Sequence, residues 1–275
     1  MSLNSVNTNT GAMIALQSLN AINKEYAEVQ RRVSTGFKVA SAKDNPAIWA
    51  IAQNMRAQST SLEAVKSSLQ RGQSIVDTAL SAGESISDIL TEMKEKALAA
   101  TEQGLSTATK QALNDEYVAL RKQIDTVVRS ARFDGVNLIS AGGTDAVRAL
   151  ANHNASATIN IDHFDLSTTG TAISGTLGNL LGSVGGADID AIDAAIQNVS
   201  RALSKFGVGA RSLDRTLETT SKLQDTIDSG VGNLVDADMA KESARLKALE
   251  VKQQLAIAAL RIANQTPSLL LALFR

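Results

Sequence analysis

Apolar positions recur along this chain in alternating steps of three and four, the spacing that lays one continuous stripe along an α-helix. A first stripe joins Ala12, Ala15, Leu19, Ile22, Tyr26, Val29 and Val33, and stops at Ser34-Thr35-Gly36. Glycine just past the last periodic residue predicts a helix end there. A polar link follows, Ser41-Ala42-Lys43-Asp44-Asn45-Pro46. Asp44 or Asn45 suits a helix cap and Pro46 suits a first turn, so a second helix is predicted from this point. Its stripe is the longest, running Ile48, Ile51, Met55, Gln58, Leu62, Val65, Leu69, Gly72, Val76, Ala79, Gly83, Ile86, Leu90, Met93 and Ala97. Gly72 and Gly83 each cost about 1 kcal/mol of helix propensity against Ala. Both fall in register on the stripe, which predicts close approach by a neighbouring helix.

A turn at Gln103-Gly104 leads to a third helix with its stripe at Leu113, Tyr117, Leu120, Ile124, Val127 and Ala131. The short connection predicts an antiparallel pair. Arg132-Phe133-Asp134-Gly135-Val136-Asn137-Leu138 then predicts a hairpin or turn with Asp-Gly at its tip. From Ala141 to about Gly186, small and polar residues dominate, and this stretch is expected at the surface. One alternating run in it, Ala157 to Asp162, has the pattern of a strand. A fourth helix is expected from about Asp188, with Ile189, Ile192, Ile196, Val199, Leu203, Phe206, Ala210, Leu213 and Leu217 on its seam. The pattern slips near Ser221 and resumes at Leu223, Ile227, Val231 and Leu234, with Gly230 and Gly232 as an expected joint. The last helix carries two apolar stripes. One holds Ala237, Ala244, Ala248, Val251, Leu255, Ala258 and Ile262; the other holds Leu246, Leu249, Ala256, Leu260 and Ala263.

Composition narrows the picture. Of 275 residues, 44% are hydrophobic but only 3% are aromatic, so Ala, Leu, Val and Ile form the apolar content. Small and branched aliphatics suit thin cores between long helices. The only prolines, Pro46 and Pro267, lie near opposite ends and leave the middle open to uninterrupted helices. The net charge of −1 and the lack of a basic stripe argue against nucleic acid as a partner. Absence of cysteine removes disulfides, thiolate metal sites and thiol nucleophiles together. The first ten residues show no signal-peptide pattern. No apolar run reaches the ~18 residues of a membrane span, and Leu246–Ala263 is interrupted by Lys247, Glu250, Lys252 and Arg261.

A helix with two apolar stripes needs neighbours on two sides. The first helix can cover only one of them, and its own apolar content is thin. Both terminal segments are therefore expected to stay loose in an isolated subunit and to order when other copies cover them. The expected fold is mainly α: a long antiparallel helical bundle or coiled coil made from both chain termini, with a small irregular or β element at the far end. Sticky paired termini predict self-association, and a head-to-tail contact that does not close grows a helical filament.

The residues at both ends carry a resemblance. Leu3-Asn4-Ser5-Val6-Asn7-Thr8-Asn9, Arg32-Val33-Ser34-Thr35-Gly36 and Ser41-Ala42-Lys43-Asp44-Asn45-Pro46-Ala47 resemble the N-terminal region of bacterial flagellins. So does Arg132–Leu138 after the third helix. Asp236-Ala237-Asp238-Met239-Ala240-Lys241-Glu242, Ala263-Asn264-Gln265 and the final Leu273-Phe274-Arg275 resemble their C-terminal region. The resemblance, closest to short alphaproteobacterial flagellins, implies a structural subunit that self-polymerises into the flagellar filament of swimming motility. It implies export of the unfolded chain through the flagellar type III apparatus to an extracellular filament.

Three divisions follow from the resemblance: residues 1–42 with 236–275 as an inner paired-helix domain, 43–140 with 187–235 as a helical bundle, and 141–186 as a short variable surface segment. The inner layer is expected to rest on Leu19, Ile22, Tyr26, Val29, Val251, Leu255 and Ile262. Lys43, Asp44 and Asn45 are expected to set the inter-domain link. Leu62, Val65, Leu69, Leu120, Ile124, Ile196, Leu203 and Leu213 are expected on the bundle seam. The implied partners are neighbouring copies, hook-associated junction and cap proteins, and an export chaperone on the C-terminal helix. With so short a variable segment the filament should be thin and smooth. Flagellins sensed by the innate receptor resemble Leu-Gln-Arg-Val-Arg-Glu where this chain has Leu90-Thr91-Glu92-Met93-Lys94-Glu95. Glu92 reverses a charge there, and weak or no receptor activation is expected.

Enzyme chemistry finds little footing. His163 beside Asp162 and Asp165 can be sketched as a metal site, but polar residues in a solvated loop explain it better. No phosphate loop, zinc-helix motif or nucleophile elbow is present, and neither cofactor nor small-molecule substrate is expected. Three triplets, at Asn154, Asn198 and Asn264, match the N-glycosylation pattern, though hydroxyls within Ser167–Ser183 are the better candidates for sugar attachment. A membrane-surface helix is a rival reading, but the C-terminal helix mixes Glu250 among its cations and lacks aromatics before Phe274, so no membrane partner is expected. A hook-filament junction or cap-like protein is the other alternative, sharing helical termini without indefinite polymerisation.

Overall fold

The computed structural model describes residues 8–141, 146–170, 172–173 and 186–273, with side chains described through 265. Among these residues, five helices and one two-stranded sheet follow in the order α1 (Thr10–Thr35), α2 (Pro46–Ala100), α3 (Thr107–Ser130), β1 (Val147–Leu150), β2 (Thr158–Ile161), α4 (Gly186–Val235) and α5 (Met239–Leu273). The chain divides into two compact units, residues 1–57 with 226–275 and residues 58–225. Helices α2 and α4 contribute residues to both.

Local chemistry accounts for the helix ends. Asn9 caps α1 by accepting from the Ala12 N–H, and Gly36, at φ 75°, closes it with its N–H on the Arg32 carbonyl. Only glycine takes that left-handed conformation without strain. Asn45 accepts from the Ile48 N–H and Pro46 opens α2, and Ser106 caps α3. At the turn after α3, Asp134 (φ 49°) and Gly135 (φ 82°) sit between Phe133 and Val136, which exchange both backbone hydrogen bonds. Helix α4 continues through the expected joint at Gly230 and Gly232, and the break comes instead at Asp236–Asp238. Both glycines are used for space. A Cβ on Gly230 would lie 2.8 Å from Met55 Cε, and one on Gly232 would lie 2.8 Å from the Asp236 carboxylate.

In the 58–225 unit the predicted seams turn inward. Leu62, Val65, Leu69, Val76, Ile86, Leu90 and Met93 of α2 are buried, with Tyr117 and Ile124 of α3 and Ile192, Val199, Phe206 and Leu213 of α4. Leu120, Ile196 and Leu203 pack against them, partly buried. Burial pushes the Tyr117 phenol up to about 12, because the charged form has no water there. Bonds from Gln73 to Asp214 (2.7 Å) and from Lys94 to Asp193 (2.5 Å) join α2 to α4 and mark them as antiparallel.

The polar stretch after α3 contributes more to the core than its composition suggests. Strands β1 and β2 pair antiparallel, Val147 opposite Ile161. Val147, Ala149, Ile161, Leu166 and Ile173 are all buried. Segment 164–168 is tied down by Phe164 N–H to the Leu138 carbonyl and by Thr168 N–H and Oγ1–H to Asp125 Oδ1. A few apolar residues spaced among polar ones reach inward because hydrogen bonds on either side hold their backbone against the helices. Gly72 lies under this hairpin, where a Cβ would meet Val147 Cγ1 at 3.1 Å. At Gly83 the close neighbour is Leu203 of α4.

The glycine pair on α4 provides a test. Gly207→Ala, with nothing within 4 Å of the added Cβ, is expected to raise stability by about 0.5–1 kcal/mol. Gly209→Ala would bring the Cβ to 2.8 Å from Ile161 Cδ1 and is expected to lower stability by about 1–3 kcal/mol. Chemical denaturation reads both, and a gain in both variants would contradict the close seating of β2 on α4.

Candidate assembly surface

Helices α1 and α5 lie antiparallel within the other unit. Gln253 Nε2–H donates to Asn23 Oδ1 at 2.7 Å, Arg245 pairs with Glu25, and Arg32 lies 3.4 Å from Glu242. As residue number rises on α1 it falls on α5. The whole α1 seam turns toward the pair: Val29 is buried, and Leu19, Ile22 and Tyr26 are half-buried. On α5 only one of the two stripes does so. Leu249 is buried, and Leu246, Ala256, Leu260 and Ala263 are half-buried.

The other α5 stripe faces outward along its length. Val251, Leu255 and Ile262 are 56%, 64% and 69% exposed, with Ala244, Ala248 and Ala258 exposed beside them. Helix α1 adds an apolar patch of its own, Met13, Ile14 and Leu16, on the wall of a shallow groove that runs to Lys24. The predicted inner-layer residues therefore fall into two sets. Leu19, Ile22, Tyr26 and Val29 pack inside the pair, while Val251, Leu255 and Ile262 lie outside it.

The predicted link residues form a compact knot. Asp44 accepts from the backbone N–H groups of Ala40 and Ser41 at 3.1 and 3.0 Å, from Ser41 Oγ–H, and from both ends of the Arg31 guanidinium. The hydrogen-bonded Arg31 holds the Asp44 carboxyl well below the usual carboxylate range, and Asp44 in turn raises Arg31. Asn45 caps α2, and Lys43 is exposed. The neighbouring segment is laced to the end of α4 by the Lys38 and Val39 N–H groups on the Val235 carbonyl, and by Ala237 N–H on the Gly36 carbonyl. A small apolar cluster of Val39, Ala52, Val231 and Val235 fills the space beneath.

Elsewhere the candidates disperse. Glu92 is exposed on α2, between buried Leu90 and Met93. His163 lies 2.9 Å from the Ser140 carbonyl, and Asp165 accepts from Ser167. Among the described residues no cluster of His, Asp or Glu is placed to hold a metal ion, and no helix is long and apolar enough to cross a membrane. Ser167 and Thr168 are buried; residues 171 and 174–183, the remainder of the sugar-attachment candidates apart from Thr169, lie outside the described residues. Reading the sequence missed Asp125, the anchor for Thr168, and Asn137, which donates to the Val128 carbonyl at the end of α3. Neither belongs to a periodic pattern.

Two paired terminal helices with an uncovered apolar stripe fit what comparison with known proteins finds. The bacterial flagellin N-terminal helical region matches residues 6–144, and the bacterial flagellin C-terminal helical region matches residues 189–274. The chain belongs to the bacterial flagellin family. Flagellin FljK of Caulobacter vibrioides is 49% identical over 281 residues, covering all of both chains. Flagellin FljM of the same organism is 48% identical, also over the full length of both. The Brucella melitensis flagellin is 36% identical, covering 98% of this chain and 99% of that one. Full-length matches of this kind make the chain a short flagellin of alphaproteobacterial type. Family membership makes it a structural subunit of the extracellular flagellar filament. The crystal structure of Bacillus cereus flagellin aligns with a TM-score of 0.50 at 26% identity, over 55% of this chain and 86% of that one. A putative flagellar hook-associated protein from Vibrio parahaemolyticus aligns at 0.59 and 16% identity, over 70% and 100%, a likeness of fold alone.

The Asp44 knot has a defined pH response. A carboxylate held below its ordinary range contributes stability that is complete above that range and is lost only as pH falls through its folded value. Asp44→Asn is therefore expected to speed amide exchange at Ala40 and Ser41 several-fold, by the same factor at pH 5 and pH 8 after correction for intrinsic rates. Unchanged protection in the variant would remove Asp44 as the anchor of the link.

Proposed function

We propose that this flagellin polymerises through its terminal helix pair, with the outward stripe of α5 covered by neighbouring copies. The exposed row Val251, Leu255 and Ile262 carries this reading. Each such side chain is worth about 1.5–3 kcal/mol when fully covered, and a filament repeats the gain at every subunit. In this reading residues 1–42 with 236–275 serve as the inner layer, with Leu19, Ile22, Tyr26 and Val29 holding the pair and the outer stripe meeting other subunits. Residues 43–140 with 187–235 serve as the bundle whose lateral contacts order the filament wall, and 141–186 as its variable surface segment. Lys43, Asp44 and Asn45 set the link, supported by the Asp44 hydrogen bonds.

The chain would leave the cell unfolded through the flagellar type III apparatus, which the lack of cysteine suits. Before export an apolar α5 needs a cover, the role assigned to a chaperone; after it, the filament ends meet junction and cap proteins. The role is structural rather than catalytic. Glu92, an exposed acidic side chain where receptor-sensed flagellins carry a cation, supports weak recognition by the innate receptor.

Negative-stain microscopy of purified protein with short filament seeds tests the reading. Long helical filaments are expected, and Leu255→Asp is expected to abolish them while leaving expression and helix content intact. Normal filaments from that variant would count against the outer stripe, and persistent monomers or closed rings from the unaltered chain would favour a junction or cap protein. A receptor reporter assay on the same filaments, dissociated to subunits, is expected to give at least a tenfold weaker response than a flagellin with Arg at the Glu92 position. A full response would refute the role of Glu92.

A further inference from the structure

Two helix faces of the 58–225 unit turn away from its core and carry opposite charge. On α4, Arg201, Lys205, Val208 and Arg215 fall within an arc of about 80° at 3.6 residues per turn, on the side away from buried Val199, Phe206 and Leu213. All four are exposed. Lys222 continues the row and pairs with Glu218. On α2, Asp77, Glu84, Asp88, Glu92 and Glu95 occupy an arc of similar width, opposite buried Ile86, Leu90 and Met93, and all five are exposed. The lysines nearest them turn elsewhere, Lys94 to Asp193 and Lys96 to Glu116. Like charges four residues apart destabilise a helix, and Glu84–Asp88, Asp88–Glu92 and Arg201–Lys205 are such pairs. A row of the opposite sign on another copy offsets that cost for both faces.

The two faces also match in shape and spacing. Beside the α4 row, Ile159, Phe164, Val208 and Gly209 line a groove of about 400 Å³, with Asp162 and Ser212 also in its wall. Lys205 lies over the Phe164 ring, 4.7 Å from its centroid, so a cation rims the groove. Val208 is 57% exposed there, and the acidic row of α2 ends at Leu98, a large apolar side chain 56% exposed. Helices α2 and α4 run antiparallel within one copy. Copies standing side by side in the same sense therefore bring α2 of one antiparallel to α4 of the next. With Leu98 set at Val208, Glu92 and Arg215 stand about 9 and about 10.5 Å along their helices in the same direction, and Glu84 and Lys222 both stand about 21 Å along.

We propose that the acidic face of α2 on one copy docks on the basic face of α4 on a neighbouring copy, with Leu98 seated in the groove beside Val208. The inference rests on the polymerising reading and names the lateral contact of its bundle. The occupant is a second copy of this chain, because both complementary rows lie on it, on separate helices and away from the core. Charge complementarity of this kind fixes register and rejects wrong partners more than it adds raw affinity. The outward stripe of α5 supplies apolar burial, and the charged rows decide how neighbouring bundles align.

Charge reversal in the full chain tests it, by seeded assembly at low salt, where surface charge is least screened, read as the subunit concentration left unpolymerised. Arg215→Glu with Lys222→Glu is expected to raise that concentration about tenfold, and Glu84→Lys with Glu92→Lys likewise, each with unchanged helix content in the monomer. All four substitutions in one chain are expected to return it to within about threefold of the unaltered protein, the coupling that contacting residues show. Restoring the same net charge on α3 instead, with Gln111→Lys, Asp115→Lys and Gln123→Lys added to the α4 pair, is expected to rescue nothing. No rise in either reversed chain, or equal rescue from α3, overturns the proposal. The chain has no cysteine, so a second readout is free of background. A Leu98→Cys chain mixed with a Ser212→Cys chain in concentrated solution and oxidised is expected to give the mixed disulfide about fivefold above either same-site dimer. Yields no better than statistical overturn the proposal. This ratio is read with or without filaments, so failure of the unaltered chain to polymerise counts against the terminal-pair reading alone.

Discussion

An amphipathic helix can hide one apolar face against one partner. Helix α5 has two such faces and, within its own chain, one partner in α1. Leu249 goes inward and Leu255 is left in water, and no rotation of α5 about its axis covers both. The rest of the terminal unit is arranged around this constraint. The α1 seam spends all of its modest apolar surface on the pair, the Asp44 knot fixes the chain where it leaves α1, and a backbone bridge joins Phe37 to Asp236 just before α5 begins. The surplus stripe is an exposed apolar surface of the kind that marks an interaction site. Under the proposed assembly it is the surface that neighbouring copies cover.

The 58–225 unit satisfies its apolar surface internally. Its core needs few rings because the helices carry rows of Leu, Ile, Val and Ala that interdigitate over a long contact. Tyr117 and Phe206 are buried aromatic exceptions, Phe206 meeting Phe164 edge-on at a centroid distance of 5.5 Å. Where glycine replaces a larger residue on the α2 seam, a neighbour takes the space: the β1–β2 hairpin over Gly72, Leu203 against Gly83. Buried polar groups stay few and bonded, as at Asn137, which satisfies a carbonyl at the end of α3 and accepts from the Ile139 N–H. The two units thus divide the work of the chain. One buries its helix seams within itself, and the other leaves the outer α5 stripe exposed.

The helices were legible because their periodicity is nearly unbroken and their caps use standard residues. Asn9, Gly36, Asn45, Pro46 and Ser106 each do what their chemistry prefers. The errors came where period alone had to choose. On α2 the inner face near its start passes through Ala52 and leaves Ile51 exposed, since a small residue fits the Val231 and Val235 contact better than a large one. At Leu223, after the slip in the α4 pattern, the side chain is also exposed, while Thr220 is buried. The glycines at 230 and 232 carry a turn signal in sequence, yet tertiary neighbours use their small size and the helix runs on. The polar stretch after α3 hid Leu166 and Ile173, isolated apolar residues whose burial depends on Asp125 and other bonding partners far away in sequence.

By itself the sequence determined that the chain is a set of long helices, where most of them start and stop, that the termini pair, and that α5 is apolar on two sides. These are local properties, set by backbone hydrogen bonding, capping and the 3.6-residue turn. It could not decide which α5 stripe faces α1. Both stripes have the same period and similar apolar content, and a rotation of the helix exchanges them. Only the packed structure settles that choice, because side-chain fit against α1, the Asn23–Gln253 and Glu25–Arg245 pairs and the grip of Asn9 on Ala263 all act at once across more than two hundred residues of intervening chain.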